Sequence, residues 1–279
     1  LEVLKKQQRP GLKALMAVAG IEPEQVNARH LGFGLGPRMN AAGRLETAQH
    51  ALDMLTARDG LAALEASEKL EELNTKRRGI QYAIFEEACV QAEELENDRV
   101  LVVSSDGWNH GVIGIVASKL VEKYKKPVFI IGERGEEATG SARSFGDFSA
   151  ADAVRAADDI IIKGGGHGAA AGVTLATKKI GDFRRRVNEF YDSLQLTNQE
   201  QYLLPRADVE IDDFSEIDED LVENLAKMEP FGNGNPEPVV KITTASMLSA
   251  RRMGADGQHV KLALRDKNGK VLQMLAFNA

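Results

Sequence analysis

The sequence predicts an α/β chain in which a helical part, a mixed α/β part and an all-β part follow one another, and three observations carry that prediction. From Leu61 to Glu96 there is no proline, and Leu73, Ile80, Ile84, Ala88 and Leu95 return near the helical period. After Asn97-Asp98 come short β-branched runs, Arg99–Ser104 and Pro127–Ile131, on either side of an apolar stretch with helical spacing, Val112–Tyr124. Unbroken apolar strands of this kind suit a parallel pair buried on both faces and joined by a right-handed crossover. Beyond Pro238 three strand-like segments follow, the last two separated by Asp266-Lys-Asn-Gly269, a hairpin signal.

Taken in order, residues 1–59 open with Arg9-Pro10-Gly11 and an apolar helix, Leu12 to Ala19, stopped by Gly20, with Pro23 starting a further short helix. Residues 31–45, LGFGLGPRMNAAGRL, are too rich in glycine for a plain helix and too apolar for a solvent loop, so something approaches this backbone closely. The stretch 60–97 reads as one long helix with Glu65/Lys69 and Glu72/Lys76 as i,i+4 pairs. At 1.5 Å per residue it spans on the order of 50 Å, long enough to connect two lobes. Gly79 inside it costs about 1 kcal/mol and marks a place for a bend. Residues 98–204 add to the parallel pair a strand at Thr139–Ser144, a helix near Ala150–Ala157 and a buried strand at Ile160–Ile162. This last strand runs into Gly164-Gly-Gly-His-Gly-Ala-Ala-Ala-Gly172, read as a turn opening a small-residue helix, and Ile180–Leu194 closes the lobe with Arg184, Arg185 and Arg186 outward. Residues 205–279 begin with an alternating edge strand, Asp208–Asp212, and a helix from Asp218 to Met228. A rigid turn, Pro230–Pro238, leads to strands at Val239–Leu248, Gln258–Arg265 and Gly269–Phe277, which make a small, incomplete β-barrel. The chain begins at Leu1 and stops two residues past its last strand, as expected of a piece of a longer protein.

A length of 279 residues with 43% hydrophobic content excludes wholesale disorder. No apolar run reaches the ~18 residues of a membrane span and no signal-peptide pattern opens the chain, so a cytoplasmic protein without membrane contact is expected. The single cysteine, Cys89, excludes internal disulfides and multi-cysteine zinc sites. The net charge of −7 hides a split: residues 206–237 carry eleven acids against two bases, while residues 238–279 carry seven bases against two acids. Arg251, Arg252 and Lys261 belong to that basic part, a candidate polyanion-binding face.

Several segments carry phosphate-binding chemistry. Gly164, Gly165 and Gly166 let backbone N–H groups approach an anion, the expected helix start adds its dipole, and His167 can donate to a phosphate oxygen; the alternative is a tight turn that merely packs closely. His110 stands between a strand end and a helix start, where open α/β sheets bind ligands, although a lone histidine there is often structural. Ser141 and Arg143 add a hydroxyl and a guanidinium fork suited to a terminal phosphate, against the plainer reading of an ordinary strand. Arg38, Asn40 and Arg44 sit in the glycine-rich segment of the first part, with helix capping or an inter-lobe ion pair as their alternative. Asp208, Glu210 and Asp212 share a strand face, but without histidine or a second acidic cluster they read as a solvated edge rather than a metal site. No nucleophile elbow and no paired-histidine metal motif is present, so the phosphate-binding parts lack a complete catalytic set.

These motifs together resemble the RecJ family of single-stranded-DNA-specific exonucleases in the DHH/DHHA1 phosphoesterase superfamily, over nearly the whole chain. Residues 35–45, LGPRMNAAGRL, resemble the segment closing a DHH domain, and the long helix resembles the interdomain connector. Residues 108–118, WNHGVIGIVAS, with Gly164-Gly-Gly-His167, resemble the DHHA1 domain, and residues 229–238, EPFGNGNPEP, resemble the entry to an OB-type domain. The resemblance implies a fold made of the end of a DHH domain (1–59), a connecting helix (60–97), a DHHA1 lobe (98–204) and a truncated OB-type barrel (205–279). It implies 5′→3′ hydrolysis of single-stranded DNA in recombination and mismatch repair, with Mn²⁺ or Mg²⁺ held by DHH motifs upstream of Leu1, so that the chain alone is expected to be inactive. By the same resemblance Ser141, Arg143 and an arginine of the NAAGR segment hold the 5′-phosphate, and His110 and His167 line the cleft. The basic barrel holds the strand by charge, with Phe231 and Phe277 as its stacking candidates, and single-stranded-DNA-binding protein and a helicase are the expected protein partners. A DHH–DHHA1 phosphodiesterase of cyclic dinucleotides or short oligonucleotides, or a non-catalytic nucleic-acid scaffold, are the other readings; a small substrate would not need the barrel.

Overall fold

A computed structural model describes residues 1–6, 9–197, 199–204 and 206–277. The expected boundary at Pro205 and the chain end at Asn278–Ala279 lie outside the described residues. The chain divides into two units, Leu1–Leu203 and Leu204–Ala279.

The first unit starts with helices α1 (Glu2–Lys5), α2 (Pro10–Val18), α3 (Gly36–Leu45) and α4 (Gln49–Thr56), the last three packed on the first half of α5 (Gly60–Glu94). Pro10 occupies the first turn of α2, where its missing N–H costs nothing. Gly11 follows because a Cβ there would overlap the Met54 carbonyl oxygen, so α2 and α4 meet backbone to backbone. Leu15, Met16, Leu35, Met54, Leu70 and Leu73 are fully buried between these helices. Asp59 caps α5 by accepting from the Ala62 N–H at 2.9 Å. The 35 residues of α5 span about 52 Å in one uninterrupted helix that runs through Gly79.

The second half of α5 buries Ile84, Ala88 and Ala92 against one face of a five-stranded sheet. In chain order the remaining elements of this unit are β1 (Leu101–Asp106), α6 (His110–Tyr124), β2 (Val128–Arg134), β3 (Glu137–Arg143), α7 (Ala150–Arg155), β4 (Ile161–His167), β5 (Ala170–Ala176) and α8 (Ile180–Ser193). The strand order is β1-β2-β3-β5-β4. Strands β1 and β2 are parallel, Leu101 opposite Val128, with α6 as the crossover that the apolar spacing requires; every other pair is antiparallel. Leu101, Val103, Val128 and Ile130 face α5 and α6, while Val102, Phe129, Ile131, Ala142 and Val173 face α7 and α8.

Three sequence expectations give way here. Residues 164–172 do not lead from a buried strand into a helix: they form the β4–β5 hairpin at the sheet edge, and Ile162 is 59% exposed. Alanines and glycines fit either structure, and the decisive signal is the burial of Ala171, Val173 and Leu175 on alternate positions of β5. The glycine-rich segment 31–45 is helical throughout, a π-helical turn (His30–Leu35) running directly into α3. Its glycines serve packing, a Cβ at Gly34 lying 2.8 Å from Ile21 Cδ1. The expected strand Val239–Leu248 is broken in two, because Thr243 turns the chain by donating its N–H to the Ile211 carbonyl at 3.0 Å.

The second unit holds β6 (Val209–Ile211), α9 (Glu219–Ala226), β7 (Val240–Ile242), β8 (Ser246–Met253), β9 (His259–Arg265) and β10 (Val271–Phe277). A short parallel pair, β6 with β7, stands beside an antiparallel sheet of order β10-β9-β8. The hairpin between β9 and β10 is pinned by Asp266, whose buried carboxylate accepts from the N–H groups of Phe214, Asn268 and Lys270 at 2.8–3.0 Å. Burial pushes that carboxyl up, and the three donors outweigh it and hold it below the usual carboxylate range. Among the described residues no helix is long and apolar enough to cross a membrane.

Candidate functional site

The turn from β1 into α6 is held by the long helix. Glu87 of α5 accepts from Ser105 Oγ and Trp108 Nε1, both at 2.7 Å, and so fixes the residues before the helix start. Asn109 then caps α6 by accepting from the Gly111 N–H at 2.8 Å. His110 lies over β2, where a Cβ on Gly132 would sit 3.4 Å from its Nε2 and 2.6 Å from the Trp108 carbonyl oxygen. That Nε2 is buried with no hydrogen-bond partner among the described residues.

Burial, helped by the charge of Arg134, holds the His110 imidazole below its ordinary pKa. The unfolded chain takes up this proton near pH 6.5 and the folded chain only at a lower pH. Stability is therefore unaffected above pH 6.5, declines as pH falls below it, and stops declining under the folded value. Melting temperatures at pH 7.5 and 5.5 should drop more for the wild type than for His110→Gln; equal drops would remove this role.

Two glycines of α6, one turn apart, bring three elements together. A Cβ on Gly111 would overlap the Arg44 carbonyl oxygen and lie 2.9 Å from its carbon, so α3 and α6 touch backbone to backbone. Arg44 Nη1 donates to the Gly111 carbonyl at 2.8 Å across the same contact. Gly114 faces β3, a Cβ there lying 3.0 Å from Ser141 Oγ and 3.3 Å from Arg143 Nη2. Arg143 Nη1 donates to Ser141 Oγ at 3.1 Å and to the Ala142 carbonyl at 2.7 Å. Neither Arg44 nor Arg143 has a carboxylate within ion-pair distance among the described residues, and burial followed by the charge of Arg44 lowers the Arg143 pKa. Two converging guanidiniums with a hydroxyl and no counter-charge suit a dianion.

The sheet register extends this site. Arg143 is opposite Ala170, which is opposite His167; Ser141 is opposite Gly172, which is opposite Gly165. Opposed residues share a face, so His167 stands two strands, about 10 Å, from Arg143 on the same side. Between them lies a strip of backbone: a Cβ on Gly165 would meet nothing and one on Gly172 only the Gly140 oxygen at 3.9 Å. A shallow cavity of about 360 Å³ lies along it, with Thr139, Lys163 and Thr174 in its lining. Gly164 and Gly166 turn to the other side of the strand, where a Cβ would lie 2.9 Å from Ile161 Cδ1 and 2.5 Å from Ala171 Cα respectively. The hairpin supplies no helix dipole, so the glycines act here through room and not through an N-terminus.

Arg38 is placed differently from Arg44: it is ion-paired to Glu71 and donates to the Gly34 carbonyl at 2.8 Å. Asn40 is exposed on α3. In the second unit Arg251 on β8, Lys261 on β9 and Leu275 on β10 lie in one row, and Met253, His259 and Phe277 in the next but one, which puts Arg251, Lys261 and Phe277 on a single face. Arg252 points to the opposite face and donates to the Gly257 carbonyl at 3.0 Å. Among the described residues no three His, Cys, Asp or Glu side chains gather as metal ligands. Glu210 and Asp212 are instead paired with Lys241 and Lys267, and Asp208 accepts from the Val239 N–H at 3.0 Å. These residues do not fit a divalent cation. Sequence reasoning missed Lys163 and Glu87; only Lys163, directly before the glycines, carried a local signal.

Residues 97–193 match the DHHA1 domain model and residues 207–279 the RecJ OB domain model. Relatives include the single-stranded-DNA-specific exonuclease RecJ of Bacillus subtilis, 35% identical over 100% of this chain and 35% of that protein. The RecJ of Escherichia coli is 31% identical over 97% of this chain and 48% of that protein. Among solved structures, RecJ of Thermus thermophilus in complex with Mg²⁺ superposes with a TM-score of 0.82 at 28% identity, covering 100% of this chain and 42% of that one. A RecJ exonuclease bound to manganese gives 0.63 at 28% identity, covering 72% and 49%. The chain thus spans between about a third and a half of the length of these relatives. With a DHHA1 domain followed by a RecJ OB domain, and relatives aligned along its whole length, the chain belongs to the RecJ family.

Proposed function

We propose that this chain is the substrate-gripping part of a 5′→3′ exonuclease of single-stranded DNA, acting in recombination and repair, and that its first unit holds the 5′-phosphate of the strand. The observation that carries this reading is the uncompensated pair Arg44, at Gly111, and Arg143, with Ser141 at Gly114, along one turn of α6. His110 and His167, with the bare strip at Gly165, line the path of the adjoining nucleotides, while Gly164 and Gly166 support it from the far side. Arg38 holds α3 through Glu71 and the Gly34 carbonyl, exposed Asn40 faces the substrate side, and Arg251 and Lys261 hold the strand by charge, with Arg252 on the opposite face adding only to the field of the sheet. In domain terms we assign 1–59 to the end of a DHH domain, 60–97 to a connector, 98–204 to DHHA1 and 205–279 to the OB-type domain. The RecJ structures with Mg²⁺ and Mn²⁺ support a divalent cation for the whole enzyme, held by its DHH motifs and not by the residues described above. Single-stranded-DNA-binding protein and a helicase are the partners that the likeness to the RecJ family implies.

Fluorescence anisotropy of this chain with 5′-phosphorylated, 5′-hydroxyl and duplex oligonucleotides, across a salt series, tests the reading. Preference for the phosphorylated single strand supports it, and equal binding of all three overturns it. Each phosphate contact on a single strand contributes about 0.7 to the salt slope, so the double substitution Arg251→Ala, Lys261→Ala should lower the slope by about 1.4. An unchanged slope removes that face from the interface.

A further inference from the structure

Of the two arginines on the long helix, neither used by the phosphate pocket described above, Arg78 is exposed and Arg77 is half-buried. Arg77 lies where the C-terminal end of α3 crosses α5: Lys69 and Glu71, before it on the helix, contact Glu46 and Arg38, and Ile80, after it, packs in the same cluster as Leu45. Its head group is fixed at both ends. Nη2 donates to Asn74 Oδ1 at 2.6 Å and Nη1 to Gln81 Oε1 at 2.8 Å. Both amides are themselves buried, at 3% and 8% exposure, which is rare for such side chains unless they have a fixed partner. Both partners are neutral, so the charge is held and not cancelled. Among the described residues Arg77 makes no ion pair, and its Nε is buried without a partner. Burial, then the nearby charge of Arg44 and that of its neighbour Arg78, lower its pKa; burial and Arg44 act on Arg143 as well.

A helix of ordinary solvent-facing charges would set a glutamate beside this arginine, as α5 does for Lys69 with Glu72. Here two buried amides keep a bare cation next to another cation, an arrangement that costs stability in the empty state. A dianion bound between Arg44 and Arg143 relieves that cost.

We propose that Arg77 is a positioning residue of the 5′-phosphate pocket, a third guanidinium that Asn74 and Gln81 hold beside Arg44 so that its charge strengthens the grip on the phosphate without touching the strand. The proposal rests on the reading of Arg44, Ser141 and Arg143 as that pocket.

The test compares anisotropy titrations of this chain and its variants with a 5′-phosphorylated and a 5′-hydroxyl single strand, with circular dichroism of each variant. Arg77→Gln should cut the preference for the phosphorylated strand by about three- to tenfold and leave binding of the hydroxyl strand unchanged. Arg77→Lys, which keeps the charge, should restore most of the preference. A purely structural arginine would lower the melting temperature and weaken both strands alike, and that result overturns the proposal. Arg143→Ala separates the two levels: if it abolishes the preference while Arg77→Gln leaves it intact, Arg77 has no such role and the pocket stands. If Arg143→Ala leaves the preference intact, the pocket and the proposal fall together. Should Arg77→Gln not fold, Gln81→Met frees one end of the guanidinium while keeping its charge; a preference lowered by about twofold supports the proposal, and an unchanged one overturns it.

Discussion

Arg143→Ala is expected to weaken binding of a 5′-phosphorylated single strand by roughly 10- to 100-fold and to change binding of the 5′-hydroxyl strand by less than about threefold. The guanidinium is half-buried on β3, already directed by Ser141 Oγ and the Ala142 carbonyl, and has no carboxylate to return to when the phosphate is absent. A charge-assisted hydrogen bond of this kind contributes about 1.5–3 kcal/mol, and 1.4 kcal/mol is a factor of ten in affinity. The hydroxyl strand offers no dianion, so it should barely register the change. Equal losses on the two oligonucleotides in an anisotropy titration would remove Arg143 from the 5′-phosphate site.

Gly111→Ala should be the most damaging small substitution in the first unit. The added carbon would overlap the Arg44 carbonyl, and helix α6 cannot retreat because Gly114 is seated against Ser141 and Arg143 one turn later. Forcing the two backbones apart should cost about 2–4 kcal/mol and move Arg44 away from Arg143, so thermal stability and the 5′-phosphate preference fall together. Gly79→Ala is the matched control, because a Cβ there meets nothing within 4 Å and the site is mid-helix. It should raise stability by about 0.5–1 kcal/mol. A Gly111→Ala chain with wild-type melting and wild-type preference would show that α3 and α6 are not in contact.

The elements that depend on long, redundant patterns were legible in the sequence. The helix α5 repeats its apolar spacing over 35 residues, and β1-α6-β2 follows from two β-branched runs around one helical stretch. The glycine and alanine segments were not, because residues without side chains carry no periodicity: 164–172 fits a hairpin as well as a helix start, and 31–45 fits a helix once its glycines are seen to meet Ile21 and the preceding turn. At the site, Ser141, Arg143 and Arg44 could be singled out by chemistry, yet Arg38 stands six residues from Arg44 in the same motif and has an opposite fate. Glu71, far along the chain on α5, neutralises Arg38 and leaves Arg44 bare. Which charges are cancelled is a property of the fold, and for that reason Arg77 was invisible among the many charged residues of its helix.

The strip at Gly165 and Gly172 has a consequence for how a polymer would travel. A floor of peptide groups presents the same surface to a purine as to a pyrimidine, with no side chain to be displaced when one follows the other. A strand drawn across it one nucleotide at a time would find at these two positions no side chain that tells one base from another, with Thr139, Lys163 and Thr174 along the strip. An enzyme built on this surface should therefore shorten mixed sequences at a nearly uniform pace.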